Sequence, residues 1–350
     1  MNDRTTRRRF TAGTLAVAIA AALASAGAAQ AADKVKVGIN NVVSDVVFHL
    51  GIERGIFAAE GLEVELIAFD SGPKMIAPLG SGQIDVGAGA SSAGLYNAAA
   101  RGINIKVVAD KGSTPVHYDY MPLMVRKELV DSGKVKTVAD LKGMRVGSVG
   151  PGAATNAKMA HILAKAGLTY KDVNHNYIGY PQQIAAFTTG AIDAAITTEP
   201  SVTQAVNNGV AVRFVVDGYP NQQVAVLLYG GDFIAKRRDI AQRFMNAYVK
   251  SARIFNDATA GGRFDGKGAD EIIKTIMRTT GLKDAELFKT MIPNGIDPDG
   301  KVDVASMAQD LKFFTETGYL ERPAKVEDVV DTSFADAAVK QIGRYKAAQN

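Results

Sequence analysis

The side chains best suited to chemistry in this chain are amides, hydroxyls and a few carboxylates, gathered in six short turns. Asn40, Asn41, Ser44 and Asp45 make the first, Asp70-Ser71-Gly72 the second, and Gly89-Ala90-Ser91-Ser92 the third. Gly150-Pro151-Gly152-Ala153-Ala154-Thr155-Asn156, Gly179-Tyr180 and Thr197-Thr198-Glu199-Pro200 complete the set. Residues of these types shape turns and cap helices. They also present hydrogen-bonding groups and let a ligand approach the backbone. Glu199, between an apolar strand and a proline that starts a helix, is expected at the mouth of a cleft as an acceptor for an amine, amide or hydroxyl. His117, Tyr118 and Tyr120 precede an apolar run, where a loop could lay a ring over the same space. Lys74 and Arg145 are the only cations near these turns. An anion would therefore be held by helix ends, hydroxyls and amides rather than by an arginine clamp.

Bond-making chemistry finds little support. The 350 residues include no cysteine, which excludes thiol nucleophiles, disulfide scaffolds and thiolate metal sites. The four histidines at 49, 117, 161 and 175 lack the H-E-x-x-H spacing of a zinc site. No G-x-S-x-G elbow is present, and the glycine-rich turn at 147–152 is followed by no G-K-[ST]. Neither enzyme activity nor a cofactor or metal is expected. The net charge of +4 falls to +1 without the first 31 residues, which hold four arginines and one aspartate. No polycation remains to bind nucleic acid.

The turns recur because the chain contains its own copy. Residues 73–85 align without a gap on 181–193, with six of 13 positions identical at an offset of 108. The match continues from Gly102–Asp110 to Gly209–Asp217, and upstream from Val35–Gly38 to Met144–Gly147. Each copy alternates strands and helices, which implies an α/β fold with parallel-rich sheets flanked by helices. The first copy reads as strands at 35–39, 63–69, 85–88 and 105–109, with helices at 46–58, 73–81 and 92–101. The second reads as strands at 144–148, 175–178, 193–197 and 211–216, with helices at 154–166, 181–189 and 200–208. Leu123-Met124-Val125 and Ala225–Tyr229 are expected as strands crossing between two lobes. Beyond 230 the pattern is helical, at 236–257, 268–280, 284–290, 303–317 and 331–347, and these helices are expected to close the first lobe. The resulting organisation is lobe one at 32–122 and 227–350, with lobe two at 123–226. In an open parallel sheet, ligands lie beyond the carboxyl ends of the strands, where all six turns fall.

The first 31 residues read as an export signal. Arg7-Arg8-Arg9-Phe10 leads an uncharged, alanine-rich stretch that ends at Ala29-Gln30-Ala31. The paired arginines are those of a twin-arginine signal, cleaved near Ala31, which places the mature chain in the periplasm.

Several of these segments together resemble the solute-binding proteins of ABC importers, in the group that includes nitrate, sulfonate, taurine and thiamine-pyrimidine-precursor binders. The resemblance rests on Val35–Gly38, Gly55–Glu65, Gly82–Val86, Asp140–Gly147, Gly190–Ala194 and Glu199-Pro200. It implies a two-lobed, type II periplasmic binding fold with a discontinuous first lobe. Such a protein captures a small organic anion or zwitterion by hinge closure, as a monomer, and delivers it to a membrane permease driven by a cytoplasmic ATPase. The resemblance carries ligand contacts onto Asn40, Asn41, Ser71, Ser91, Ser92, Thr155, Asn156, Tyr180 and Glu199. The tryptophan clamp of some members has no counterpart in a chain without tryptophan, and Tyr118 and Tyr180 are the nearest substitutes. The alternative on the same fold is a pyrimidine-precursor binder or a synthase-like enzyme, whose cysteine-rich motif this chain lacks.

Overall fold

Two five-stranded sheets, each clothed by helices, make up the computed structural model, which describes residues 31–347. The export signal read over 1–31 lies, apart from Ala31, outside the described residues. The first lobe opens with β1 (Asp33–Ile39), α1 (Val46–Glu53), α2 (Ile56–Ala59), β2 (Leu62–Ala68), α3 (Ile76–Gly80), β3 (Val86–Ala90), α4 (Ala93–Ala100) and β4 (Ile105–Thr114). The second lobe follows with β5 (Leu123–Arg126), α5 (Lys127–Asp131), β6 (Arg145–Ser148), α6 (Ala154–Lys165), β7 (Asn174–Tyr177), α7 (Tyr180–Thr188), β8 (Ala194–Ile196), α8 (Ser201–Asn207) and β9 (Ala211–Val215). The chain then adds β10 (Gln222–Gly230), α9 (Gly231–Lys236), α10 (Arg238–Ala258), α11 (Ala269–Thr280), α12 (Val304–Glu316) and α13 (Ser333–Ile342). None of the helices among the described residues is long and apolar enough to cross a membrane.

The strand orders, β2-β1-β3-β10-β4 and β7-β6-β8-β5-β9, superimpose term by term. β1 pairs parallel with β3 and β6 parallel with β7 and β8, as strands joined by helical crossovers must. β10 and β5 occupy the same place in the two sheets, each antiparallel to both neighbours. The sequence reading expected both as crossing strands, but neither crosses; each lies wholly inside one sheet. The crossings are the segments before them, 115–122 and 216–221, and β10 belongs to the first sheet from Gln222 onward.

Burial follows the period of two that a doubly covered strand requires. On β10, Leu227 and Tyr229 join the core on one face of the first sheet, while Val226 and Leu228 join the core on the other. On β5, Leu123 and Val125 face one core of the second sheet and Met124 the other. The late helices complete the first lobe. Phe244 and Tyr248 of α10 stack near Phe48 of α1, with ring centroids 6.5 and 5.6 Å away, and all three are fully buried. Three local readings need correction. The helix expected at 46–58 breaks at Gly55, whose φ of 65° a helix interior does not accept. The segment at 284–290 is a 3-10 turn, and β4 runs on past Ala109 to Thr114.

Phe244 also lies 5.1 Å from the Phe57 ring. Replacing it with alanine (Phe244→Ala) should cost about 3–5 kcal/mol of unfolding free energy, measured by urea denaturation. A loss below about 1 kcal/mol would mean that α10 is not integral to the lobe.

Candidate functional site

All six strands contributing the turns end at one enclosed space between the sheets. The residues after β1 supply Asn40, Val42 and Ser44, and those after β2 supply Gly72 and Pro73. From the second lobe come Val149 and Ala153–Thr155 after β6, Tyr180 after β7 and Thr198 after β8. Gly89, Ala90 and Lys111 of the first sheet, with Tyr120 and Met121 from the outgoing crossing, complete much of the wall. The space is only ≈ 40 Å³, with room for little more than a compact head group. Asn40, Val42 and Tyr180 also line a neighbouring outer hollow of ≈ 460 Å³ bearing Asn41, Phe69, Asp70, Pro181 and Gln182.

The one charged wall residue is Lys111, which the sequence reading missed. Expecting β4 to end at Ala109 hid it. Pairing with β10 carries the strand to Thr114, but Ala225 faces Gly112 and Val226 faces Asp110, so Lys111 is the extra residue of a bulge. Bulges re-aim side chains, and this one is 1% exposed and lines the cavity. Its ammonium lies 2.6 Å from Asp45 Oδ1 and donates to Ser44 Oγ at 2.7 Å. An ammonium carries three donors, so one is left for the cavity. Asp45 Oδ2 accepts from Asn40 N at 2.9 Å and Val42 N at 3.0 Å, which curls the turn after β1 around the ion pair. By contrast, Lys74 is exposed beside Asp70. Arg145 pairs with Asp193 at 2.9 Å at the amino end of β6, away from the cavity.

Thr155 and Thr198 line the cavity from the second lobe at 3% and 2% exposure, and neither hydroxyl has a hydrogen-bond partner among the described residues. An unpaired buried hydroxyl is costly unless something completes it. Burial raises the phenols of Tyr120 and Tyr180 above their ordinary value, so both stay neutral donors. The helices α6 and α7 both begin at the cavity, with Ala154 and Tyr180 in its wall. Helix N-termini carry free N–H groups and partial positive charge.

The structure sorts the expected residues into three groups. Asn40, Thr155 and Tyr180 meet at the cavity, and Asn41 stands in the outer hollow. Ser71, Ser91 and Ser92 are buried next to it, but Gly72, Gly89 and Ala90 form the wall there. The remaining four point elsewhere. Asn156 Nδ2 donates to Ser148 Oγ at 2.8 Å, and its Oδ1 accepts from Ala153 N at 2.7 Å. The Glu199 carboxylate is fully buried inside the second lobe. It accepts from Thr203 N, Thr203 Oγ1 and Arg213 Nη2, all at 2.9 Å. Burial raises its pKa, and the Arg213 charge opposes that rise. His117 borders a separate hollow with Gly262, and Tyr118 a hollow of ≈ 630 Å³ with Asp297 and Asp303.

Direct contacts join the two lobes across the cavity rim. Ala93 N donates to Gly152 O at 2.9 Å, Val43 N to Glu199 O at 3.3 Å, and Gln222 Nε2 to Ala154 O at 3.0 Å. Gly152 has a φ of 68°, and a Cβ there would stand 2.6 Å from Ala93 Cβ.

Comparison with known proteins supports this geometry. The sequence pattern of the NMT1-like family matches residues 28–264. A curated Escherichia coli (strain K12) protein named "Putative aliphatic sulfonates-binding protein" is 26% identical over 224 residues, 63% of each chain. This chain thus spans less than two thirds of that relative's length. The alkanesulfonate-binding protein of Xanthomonas axonopodis, solved bound to MOPS, is 20% identical with a TM-score of 0.68, over 85% of this chain and 98% of its own. The periplasmic nitrate-binding protein of Synechocystis is 16% identical with a TM-score of 0.70, over 89% of both chains. At these identities the solved structures establish the two-lobed periplasmic binding fold.

A valine at the rim (Gly152→Val) should prop the lobes apart, weakening closure by roughly 1–3 kcal/mol through overpacking against Ala93. Small-angle scattering should show a larger maximum dimension, with circular dichroism unchanged. Scattering identical to the parent would deny the rim contact any part in closure.

Proposed function

Because this chain belongs to the NMT1-like family, we propose that it is the solute-binding component of an ABC importer. It is exported to the periplasm, where it captures a small organic anion or zwitterion, such as a sulfonate or carboxylate. The lobes close on the solute, and the loaded protein delivers it to the permease. No covalent bond changes, because the ligand acts only by favouring the closed form over the open one.

The observation that carries this reading is the donor set of the cavity. A spare Lys111 N–H, the unpaired Thr155 and Thr198 hydroxyls and two helix N-termini converge on a space sized for a head group. Asp45 already neutralises Lys111. The net preference for negative charge thus comes from helix ends, and it suits a singly charged or zwitterionic solute better than a multiply charged one. The Escherichia coli and Xanthomonas relatives, by their names, bind sulfonates. That agrees with an oxyanion head.

A thermal-shift panel of alkane sulfonates, short carboxylates, aromatic acids and pyrimidines tests the proposal. A true ligand at 100-fold above its Kd adds about 2.7 kcal/mol of stability. Thr155→Val and Thr198→Val should each weaken binding by at least about ten-fold, because hydrogen bonds to a charged group are worth roughly 1.5–3 kcal/mol. A panel with no stabilising compound, or variants that respond like the parent, would refute it.

A further inference from the structure

Behind the cavity, two neighbouring buried acceptors lack donors. Asp310 of α12 is 1% exposed, and its Oδ2 accepts from Gln222 Nε2 at 2.9 Å, while Oδ1 has no hydrogen bond. Gln222, fully buried at the start of β10, shares that Nε2 with Ala154 O at 3.0 Å, and its own Oε1 is also unpaired. Two residues joined by one bond therefore each leave an acceptor unsatisfied. A proton on Asp310 would turn Oδ1 from acceptor into donor and remove a charge from a dry environment.

The bridge spans the two lobes at a sensitive place. α12 packs on β10 in the first lobe and against α6 in the second. Ala154 opens α6 and, with Thr155, walls the cavity. On the reading that this cavity takes a solute, we propose that Asp310 is a positioning residue that, through Gln222, holds the cavity end of α6 against the first lobe, and that closing the lobes takes up one proton at its carboxylate.

The groups facing Asp310 support that assignment. Lys158 and His161 face it from α6, Tyr219 from the return crossing and Tyr96 from α4, while Glu327 lies beyond Tyr96 on the 3-10 turn Val326–Asp328. Lys158 is committed to a buried pair with Asp119. His161 stacks on Tyr219 at 4.1 Å, and burial lowers its pKa. Burial lifts the Asp310 carboxyl from 3.8 to about 7, against the hydrogen bond from Gln222 and the Lys158 charge, while the Tyr219 hydroxyl donates to Gln309 Oε1 at 3.0 Å. Opening parts α6 from α12 and returns the carboxyl to water, near its ordinary value. A carboxyl raised only in the closed form favours closure while it is protonated. Closure is therefore strongest in acid, weakens as pH climbs from about 4 to about 7, and levels off above. The closed-to-open ratio should fall about ten-fold from pH 6 to pH 8.

The absence of cysteine makes the test direct. Spin labels on Lys74→Cys and Lys142→Cys, exposed positions of the two lobes, report interlobe distance in the solute-free protein. The closed-to-open ratio should fall about ten-fold between pH 6 and pH 8 in the parent, stay constant in Asp310→Asn, and still fall in His161→Gln. A pH-independent parent, or a pH response that survives in Asp310→Asn, would overturn the proposal. Should Asp310→Asn fail to fold, Gln222→Met replaces it: losing the donor that opposes the rise should carry the fall in closed-to-open ratio to higher pH, and an unshifted or absent response would overturn the proposal. Because the spin-label measurement uses no solute, its failure would leave solute binding standing, and a failed ligand panel would leave the pH response standing.

Discussion

An ammonium and a carboxylate buried together between the two sheets set the terms for everything around them. Desolvating such a pair is expensive unless every remaining lone pair and proton is satisfied. Lys111 and Asp45 approach that condition because the chain after β1 curls so that Asn40 and Val42 donate backbone N–H groups to Asp45 and Ser44 receives Lys111, leaving one ammonium N–H toward the cavity. The turn that walls the cavity in the first lobe is thus shaped by the ion pair beneath it. A second buried pair, Lys158 with Asp119, ties α6 to the outgoing crossing. Lys165, the last residue of the same helix, donates to Gly218 O in the return crossing at 2.8 Å. The helix that presents Ala154 and Thr155 is therefore fastened to both segments that must flex when the lobes part.

The internal duplication explains why two sets of strand ends can face each other at all. Each sheet has one antiparallel strand in the same position, β10 in the first and β5 in the second, and each is reached directly from a crossing. Strand ends on either side then point into one space, and helix N-termini follow wherever a helix succeeds a parallel strand. With both faces of each sheet covered by packed side chains, the turns are the polar surface left for recognition.

Much of this was legible in the residues. Alternating apolar runs located every strand to within a few positions, and the repeat at 73–85 and 181–193 disclosed the two lobes. Turn chemistry brought Asn40, Thr155 and Tyr180 to the cavity correctly. It failed at Glu199 and Asn156 for the same physical reason: a polar side chain beside a helix start can turn back to serve its own lobe, and which way it turns depends on a distant partner. Arg213 claims Glu199 from β9, and Ser148 claims Asn156 from β6. Lys111 escaped notice because a bulge depends on the register of β4 against β10, strands more than a hundred residues apart, and no local pattern encodes it.

The two halves have diverged in what they bring to the cavity. In the aligned repeats Asp110 matches Asp217, so Lys111 corresponds to Gly218, where a Cβ would meet Ile162 at 2.8 Å. Glu199 corresponds to Ser91, and it is neutralised by Arg213 out of reach of the cavity. Ionised side chains therefore face the cavity from the first lobe only, as a balanced pair, while the second lobe contributes hydroxyls and helix ends. Had both copies kept a lysine at this position, two ammonium groups would repel across the closing gap. Charge on one side and dipoles on the other remove that repulsion, which suits the proposed closure on an anion. Duplication supplied the symmetry of the frame, and loss of symmetry at residues 111 and 199 made the space between the halves usable.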